Sequence, residues 1–194
     1  MNDKEAVRRI RRGDSSGLEA LVMRYQVEAA RVAYLITRDR QLADDVMQTA
    51  FVLAYERIEQ YDPSRPFPPW FFRIVTNAAL KALRHDRRAL DADVDLAELL
   101  PDSSPGPEEA LSAAEVARRV WEALGRLTPG QRAVVVMRYY LAYSEREIAA
   151  EVGRPLGTVR WRLHAARQRL RELLFADHAV RSEPVELEEE GRKP

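Results

Sequence analysis

We predict an all-α chain of two small helical modules joined by an acidic connector. Three observations support this prediction. Apolar residues recur at spacings of three and four in both halves of the chain, and no stretch alternates apolar and polar residues as a half-buried strand would. Between the halves, residues 91–109 are rich in proline, serine and carboxylates. A length of 194 residues suits one or two small domains.

The first module contains signals for three helices. Ser16 and Glu19 have the spacing of a capping box before an apolar stripe. After a turn rich in proline, Pro68 and Pro69 suit a helix start, because the first helical turn leaves the N–H that proline lacks unpaired. Phe67 then lies in the loop before that helix. The apolar stripes of the first two predicted helices span residues 18–36 and 42–58, and the third predicted helix runs over residues 70–88.

The second module contains signals for four helices. They cover residues 115–124, 129–141, 144–153 and 155–174. Ser144 and Glu147 form a capping box at the start of the third, and Gly153 ends it. A short capped helix, a turn with glycine and a longer basic helix are typical of a helix-turn-helix.

The last predicted helix has a basic face beside its apolar one. No acidic residue occurs between Pro155 and Arg171. A helix in the major groove of DNA needs this arrangement, because carboxylates would repel the phosphates. The alternative is a surface helix whose arginines aid solubility, although such helices usually interleave glutamate. The candidate DNA-contacting residues here are Thr158, Arg160, Trp161, His164 and Arg167.

An aromatic cluster followed by basic residues forms a second constellation. Aromatic rings beside arginine and asparagine can stack unpaired bases and bind their edges. Core packing is the alternative, and it is favoured for Phe71 and Phe72, whereas Phe67 is the better stacking candidate. The last arginines can also complement the dipole at the end of their helix. The candidates are Phe67, Trp70, Arg73, Asn77, Lys81, Arg84, Arg87 and Arg88.

The charges are sorted along the chain, although the total is neutral. Residues 1–90 carry a net charge of +4, residues 91–115 carry −8, residues 116–175 carry +7 and residues 176–194 carry −3. Two basic modules suit a polyanionic partner, and chance sorting of solvated faces is the alternative. We divide the chain into a module at 1–90, a linker at 91–109, a second module at 110–175 and a disordered acidic tail from 176.

Composition makes several classes of protein unlikely. Cysteine is absent and only three histidines occur, so we expect no disulfide, no metal and no other cofactor. No apolar run approaches the length of a membrane span, and the first residues lack the apolar core of a signal peptide. We therefore expect a cytoplasmic protein. No arrangement of residues suggests a catalytic site, so we expect that the chain is not an enzyme.

Five short motifs, taken in order, resemble the extracytoplasmic-function (ECF) group of bacterial sigma-70 factors. Together they cover nearly the whole chain except the connector and the tail. The matching segments are residues 12–14 (RGD), 24–26 (RYQ), 43–51 (ADDVMQTAF), 70–77 (WFFRIVTN) and 157–164 (GTVRWRLH).

The resemblance implies a partner for each surface. It implies core RNA polymerase, through the β′ clamp coiled coil and the β flap, promoter DNA in duplex and single-stranded form, and an anti-sigma factor. The 70–88 helix would melt and hold the −10 element, and the last helix would bind the −35 element. Trp161 and Ala165 depart from common family residues, which implies an altered −35 preference. The residues implied in polymerase binding are Asp44, Asp45, Gln48 and Phe51.

The residues themselves leave two other functions as alternatives. A helix-turn-helix regulator that acts without polymerase would bind duplex DNA, but it needs neither the aromatic cluster nor the acidic face at Asp45 and Gln48. A DNA-acting enzyme such as a recombinase needs a nucleophile or a metal cluster. Asp44 and Asp45 are adjacent on a helix and point apart, so they make a poor metal site.

Overall fold

The computed structural model describes the backbone of residues 1–90 and 113–179, and the side chains of residues 1–84 and 115–175. Within these ranges the chain forms eight α-helices and no β-strand, which confirms the predicted all-α class. The predicted linker lies outside the described residues, as does the predicted tail from residue 180.

Four helices form the first module, and four form the second. In the first module they are α1 (Asp3–Arg11), α2 (Ser16–Thr37), α3 (Arg40–Glu56) and α4 (Phe67–Leu90). In the second they are α5 (Ala113–Gly125), α6 (Pro129–Val135), α7 (Glu145–Val152) and α8 (Leu156–Ala179). A 3-10 turn at Ile58–Gln60 follows α3, and a π-helical turn at Val136–Tyr140 extends α6.

The N-terminal part of the first module differs from the sequence prediction. Helix α1 was not predicted, and the capping box at Ser16 is absent, because Ser15 is the N-cap residue of α2 and makes no side-chain cap bond, while the Ser16 N–H bonds to Asp14 Oδ1 at 3.0 Å. Helix α1 packs against α2 at Gly17, where an added Cβ would lie 2.2 Å from the Ala6 carbonyl oxygen. This close approach places the first helix on the core.

Two helix ends also need correction. Helix α4 begins at Phe67 rather than at Trp70, so Phe67 belongs to its first turn and not to the loop. Helix α8 continues to Ala179, which extends it into the segment predicted to be a disordered tail. The capping box of Ser144 and Glu147 and the left-handed Gly153 (φ 60°) are present as predicted and define α7.

The core of the first module is built around aromatic rings of α4. Phe71 has no exposed surface, and its ring centroid lies 4.7 Å from that of Phe51 and 5.7 Å from that of Phe67. Tyr25 of α2 packs against the same rings, and its hydroxyl donates to Asp3 Oδ2 at 2.6 Å. The aromatic cluster therefore holds α1, α2, α3 and α4 together.

The two modules pack directly against each other. Ala133 and Val136 of the second module are buried in the core of the first. At the edge of this contact the rings of Tyr34 and Trp121 stack at 4.6 Å, and the Arg38 guanidinium lies 4.5 Å over Trp121. Apolar, aromatic and cation–π contacts thus form one continuous interface between the two modules.

A buried arginine lies at the centre of this interface. Arg132 of α6 donates from Nε to the Ile36 carbonyl oxygen at 2.6 Å, and from Nη1 to the carbonyl oxygens of Leu124 and Leu127 at 3.3 Å each. Ile36 lies in the last turn of α2 and Leu124 in the last turn of α5, so the cation lies near the negative ends of two helix dipoles. Burial, and secondarily the charge of Arg38, lowers the pKa of Arg132 to about 10, which leaves it charged at neutral pH.

Replacing Arg132 with methionine should destabilise the fold. The change keeps much of the side-chain volume but leaves the carbonyl oxygens of Ile36 and Leu127 without this donor, at a cost of about 1–3 kcal/mol in the free energy of unfolding. Urea denaturation of the full chain measures it. Arg126→Met, at an exposed position six residues earlier, is the control and should stay within about 0.5 kcal/mol of wild type. Equal stability of the two variants would contradict a joining role for Arg132.

Candidate nucleic-acid and polymerase interfaces

Helix α8 presents a basic surface on the side away from its core. Val159, Leu163 and Ala166 are buried, which confirms the predicted apolar arc. Among the predicted DNA-contacting residues, the side chains of Arg160, Trp161, His164 and Arg167 are exposed, and Thr158 is half-buried. The indole of Trp161 is 66% exposed, which is unusual for so large an apolar ring.

A neighbouring carboxylate orients one of these arginines. Arg160 Nε lies 3.0 Å from Glu145 Oε2 in the first turn of α7. Both side chains are partly solvated, so the ion pair contributes little to stability. A phosphate or a base edge that binds Arg160 therefore competes with a weak contact.

Helix α4 places polar candidates on its outer surface at intervals of three and four residues. Arg73, Asn77, Lys81 and Arg84 are all exposed, and Trp70 is half-buried. The spacing of four puts the first three on one face of the helix. The side chains of Arg87 and Arg88 lie outside the described residues.

Phe67 does not have the environment predicted for it. Its side chain is 2% exposed, and its ring lies 5.5–5.7 Å from those of Tyr25, Tyr61, Trp70 and Phe71. An aromatic residue in the first turn of a helix that carries the core is enclosed by the neighbouring helices. The prediction that Phe67 is free to stack a base is therefore wrong for this conformation, and Trp70 is the aromatic residue of this segment that remains accessible.

Helix α3 carries an exposed polar and apolar stripe. Asp44, Asp45 and Gln48 are exposed, whereas Phe51 is buried against Phe71 and cannot contact a partner directly. That part of the predicted polymerase-binding set is corrected, because Phe51 lies on the inner side of the helix.

Two exposed residues that the sequence analysis did not identify extend this stripe. Val52 and Tyr55 are 57% and 47% exposed. Their spacing of seven and ten residues from Asp45 was the signal that would have placed them near the acidic face.

The second module contacts one face of α4. The Tyr143 hydroxyl donates to the Pro69 carbonyl oxygen at 3.0 Å. Glu151 of α7 pairs with Arg73 at 3.2 Å between Oε2 and Nε, and its backbone oxygen accepts from Asn77 Nδ2 at 3.3 Å. Burial raises the pKa of Glu151, although Arg73 opposes that rise. Two of the predicted DNA-contacting residues of α4 are thus engaged within the chain.

Two cavities mark the seam between the modules. One, of about 690 Å³, lies between the proline-rich turn, Trp70 and Arg73 on one side and Tyr143 and Glu151 on the other. The second, of about 510 Å³, has Asn77 and Arg84 on one wall and Trp161 and Arg162 on the other. Residues predicted to contact two separate DNA elements therefore line a single small cavity.

In the described part of the chain, no helix is long and apolar enough to cross a membrane.

Comparison with protein families finds two matches that follow one another along the chain. Residues 21–89 match the model of Sigma-70 region 2, and residues 110–170 match that of Sigma-70 region 4.

Individual relatives match over both modules. RNA polymerase sigma factor CnrH of Cupriavidus metallidurans is 34% identical over 172 residues, which cover 85% of this chain and 90% of that protein. The ECF RNA polymerase sigma-E factor of Escherichia coli is 32% identical over 178 residues, which cover 87% and 92%.

Solved structures have a similar fold. The structure of CnrH in complex with the cytosolic domain of CnrY is similar with a TM-score of 0.62 at 30% identity, over 90% of this chain and 98% of that one. The sigma factor RpoE of Bartonella quintana, in complex with the anti-sigma factor NepR, gives 0.62 at 20% identity, over 82% and 97%, which shows a shared fold alone.

Proposed function

Because the chain belongs to the ECF group of the sigma-70 family, and so directs promoter-specific transcription initiation by RNA polymerase, we propose that three of its helix faces divide this work. Helix α3 docks on core polymerase, α4 holds the melted −10 element, and α8 binds the −35 element as duplex. The single observation that supports this division most is the order of the two family matches, which places α3 and α4 in region 2 and α8 in region 4.

The α3 face suits a basic partner helix. Asp44, Asp45 and Gln48 offer carboxylate and amide oxygens, and the exposed Val52 and Tyr55 supply apolar area beside them. An arginine-rich helix such as the β′ clamp coiled coil would complement this stripe in charge.

The α4 face suits an unpaired strand. Arg73, Lys81 and Arg84 are placed for phosphates, and Asn77 for a base edge. Opening a duplex costs a few kcal/mol per flipped base. Stacking on an aromatic ring contributes about 1–3 kcal/mol per base, which is enough to hold the strand open. Trp70 takes the stacking role predicted for Phe67, and Arg87 and Arg88 extend the basic face by sequence.

The α8 face suits the major groove. Arg160 and His164 lie one turn apart in the N-terminal half of the helix, where base edges are met, and Trp161 stands beside them. Thr158 and Arg167 flank this set and can position the phosphates. The large exposed indole of Trp161 makes close apolar contact with a thymine methyl group feasible.

The remaining assignments follow from this role. The chain is not itself an enzyme, since polymerase supplies the chemistry, and it acts in the cytoplasm with polymerase. Its working modules are residues 1–90 and 110–175, and the second also contacts the β flap. An anti-sigma factor is its regulatory partner, by analogy with the similar sigma factor CnrH, whose solved structure is a complex with the cytosolic domain of CnrY.

Association with core polymerase tests the proposal as a whole. The full chain, mixed with purified bacterial core polymerase, should co-elute with it in gel filtration. A match to region 2 is not expected of a regulator that acts on duplex DNA without polymerase. Strong binding to duplex DNA with no polymerase complex would overturn the proposed assignment of α3, α4 and α8 to polymerase and the two promoter elements.

Asp45→Ala should weaken the polymerase complex and leave DNA binding unchanged. Loss of one exposed carboxylate from an electrostatic interface should cost about 0.2–1 kcal/mol, a few-fold in Kd. Titration of labelled chain with core polymerase measures the change. Glu122→Ala removes another exposed carboxylate, from α5, and is the control. If both variants lose affinity equally, the effect is one of net charge and the α3 assignment fails.

Arg160→Ala should weaken −35 recognition by about 1–3 kcal/mol and relax specificity at one base pair. Selection of bound sequences from a randomised −35 region, by polymerase carrying each variant, measures both effects. Arg169→Ala lies on the opposite side of α8, nine residues along, and should weaken binding without changing the selected sequence. Unchanged selection by the Arg160 variant would contradict its role in base recognition.

A further inference from the structure

The guanidinium of Arg160 lies at the surface of α8 with one of its edges already engaged. Its Nε lies 3.0 Å from Glu145 Oε2, although the arginine side chain as a whole is 62% exposed. A guanidinium has two kinds of edge that meet a pair of acceptors, one formed by Nε with an Nη and the other by the two Nη nitrogens. Because Glu145 occupies Nε, the edge with the two Nη nitrogens is the one left for DNA.

The core of the second module holds the backbone beneath both members of this pair. Ile148 of α7 and Val159 of α8 have no exposed surface and belong to one apolar cluster. Ile148 lies three residues after Glu145, and Val159 directly precedes Arg160. The capping box described above also fixes the first turn of α7, in which Glu145 lies. Tertiary packing therefore sets the separation of the two backbones that the ion pair spans.

A carboxylate beside a DNA-binding helix carries a cost. Phosphates repel it, and α8 itself has no acidic residue from Pro155 to Arg171. The dipole of α7 offsets part of that cost, because the N-terminal end of a helix favours negative charge. Since an ion pair between partly solvated side chains contributes little to folding, stability does not account for the placement of Glu145. What the pair does provide is a fixed direction for the guanidinium.

The free edge of Arg160 matches one base in the major groove. Guanine presents two acceptors side by side there, N7 and O6, to which two Nη donors can bond at once. Adenine presents an acceptor beside a donor, so one N–H of the arginine would face another N–H. As α8 enters the groove and water leaves, the bond to Glu145 strengthens because the local dielectric constant falls. A side chain held in advance also loses less freedom on binding.

We propose that Glu145 is a positioning residue for −35 recognition, which holds Arg160 so that its two Nη nitrogens face a guanine. Glu145 acts through Arg160 and does not itself contact the base. This inference rests on the proposed role of α8. It adds the base that Arg160 recognises and the residue of α7 on which that preference depends.

The test uses RNA polymerase that carries the full chain or a variant, and measures binding to promoter duplexes that differ only at the base pair where Arg160→Ala relaxes the selected sequence. Wild type should prefer guanine there by about 5- to 150-fold, as expected of one bidentate contact. Glu145→Ala should reduce this preference by about threefold or more, within the range of coupling between residues in contact. Its affinity for a duplex of unrelated sequence should equal or exceed that of wild type, because a negative charge has been removed.

Glu145→Gln is the matched control for charge. It removes the same charge from the same position, but its amide oxygen still accepts from the Nε of Arg160 over the same side-chain length. It should therefore retain more of the guanine preference than Glu145→Ala does. Equal loss in the two variants would assign the effect to net charge and overturn the proposal. A guanine preference that Glu145→Ala leaves unchanged, or a preferred base other than guanine, would also overturn it.

Arg160→Ala distinguishes this inference from the proposed function. If it leaves the selected sequence unchanged at every base pair, the proposed role of Arg160 fails and the inference fails with it. If it removes a preference that Glu145→Ala does not affect, Arg160 recognises the base unaided and the inference alone fails. The inference requires that Glu145→Ala cause no further loss of preference once Arg160 has been replaced by alanine.

Discussion

The buried guanidinium of Arg132 determines how the rest of the molecule is arranged. It satisfies carbonyl oxygens at the ends of α2 and α5 at once, and so it fixes α6 against both. After α6 the chain runs through the π-helical turn into α7, and this path places Tyr143 and Glu151 in contact with α4. Burying such a group costs free energy unless its donors are paired, so the geometry around it is strict.

The interface is suited to opening as well as to closing. At its centre lie apolar groups and the paired Arg132, but at its rim Arg73, Asn77 and Glu151 make polar contacts that water or DNA can replace. Partly solvated ion pairs contribute little. A partner that binds both modules in a separated arrangement would shift the equilibrium by its differential affinity for that arrangement, and core polymerase is the proposed partner of this kind.

Helix periodicity made much of the site predictable. The buried and exposed faces of α8, and the caps at Ser144 and Gly153, follow from spacing and from local hydrogen bonding. Phe51 and Phe67 could not be placed in the same way, because an aromatic ring near a predicted surface is buried or exposed according to which helices pack on it. Helix α1 was missed although its local signals are present, because Asn2 caps the Glu5 N–H and Ala6, Val7 and Ile10 form a short buried stripe.

The contact between the modules was beyond sequence reasoning for the same reason. It joins residues about 75 to 100 positions apart, as in the bonds from Tyr143 to Pro69 and from Arg132 to Ile36. The charge pattern predicted two basic modules that bind DNA independently. Their mutual packing depends on tertiary contacts that leave no periodic trace in either segment.

The distance between the modules, measured in the free chain and in its polymerase complex, tests the account most directly. The chain has no cysteine, so Ser64→Cys and Arg146→Cys, both at exposed positions beside the seam, supply two unique sites for spin labels. Pulsed electron–electron double resonance should give one short, narrow distribution of label-to-label distances for the free chain. On binding core polymerase it should shift by tens of ångströms, towards the spacing of about 85 Å between the promoter elements. A broad or long distribution in the free chain, unchanged by polymerase, would contradict a closed resting form.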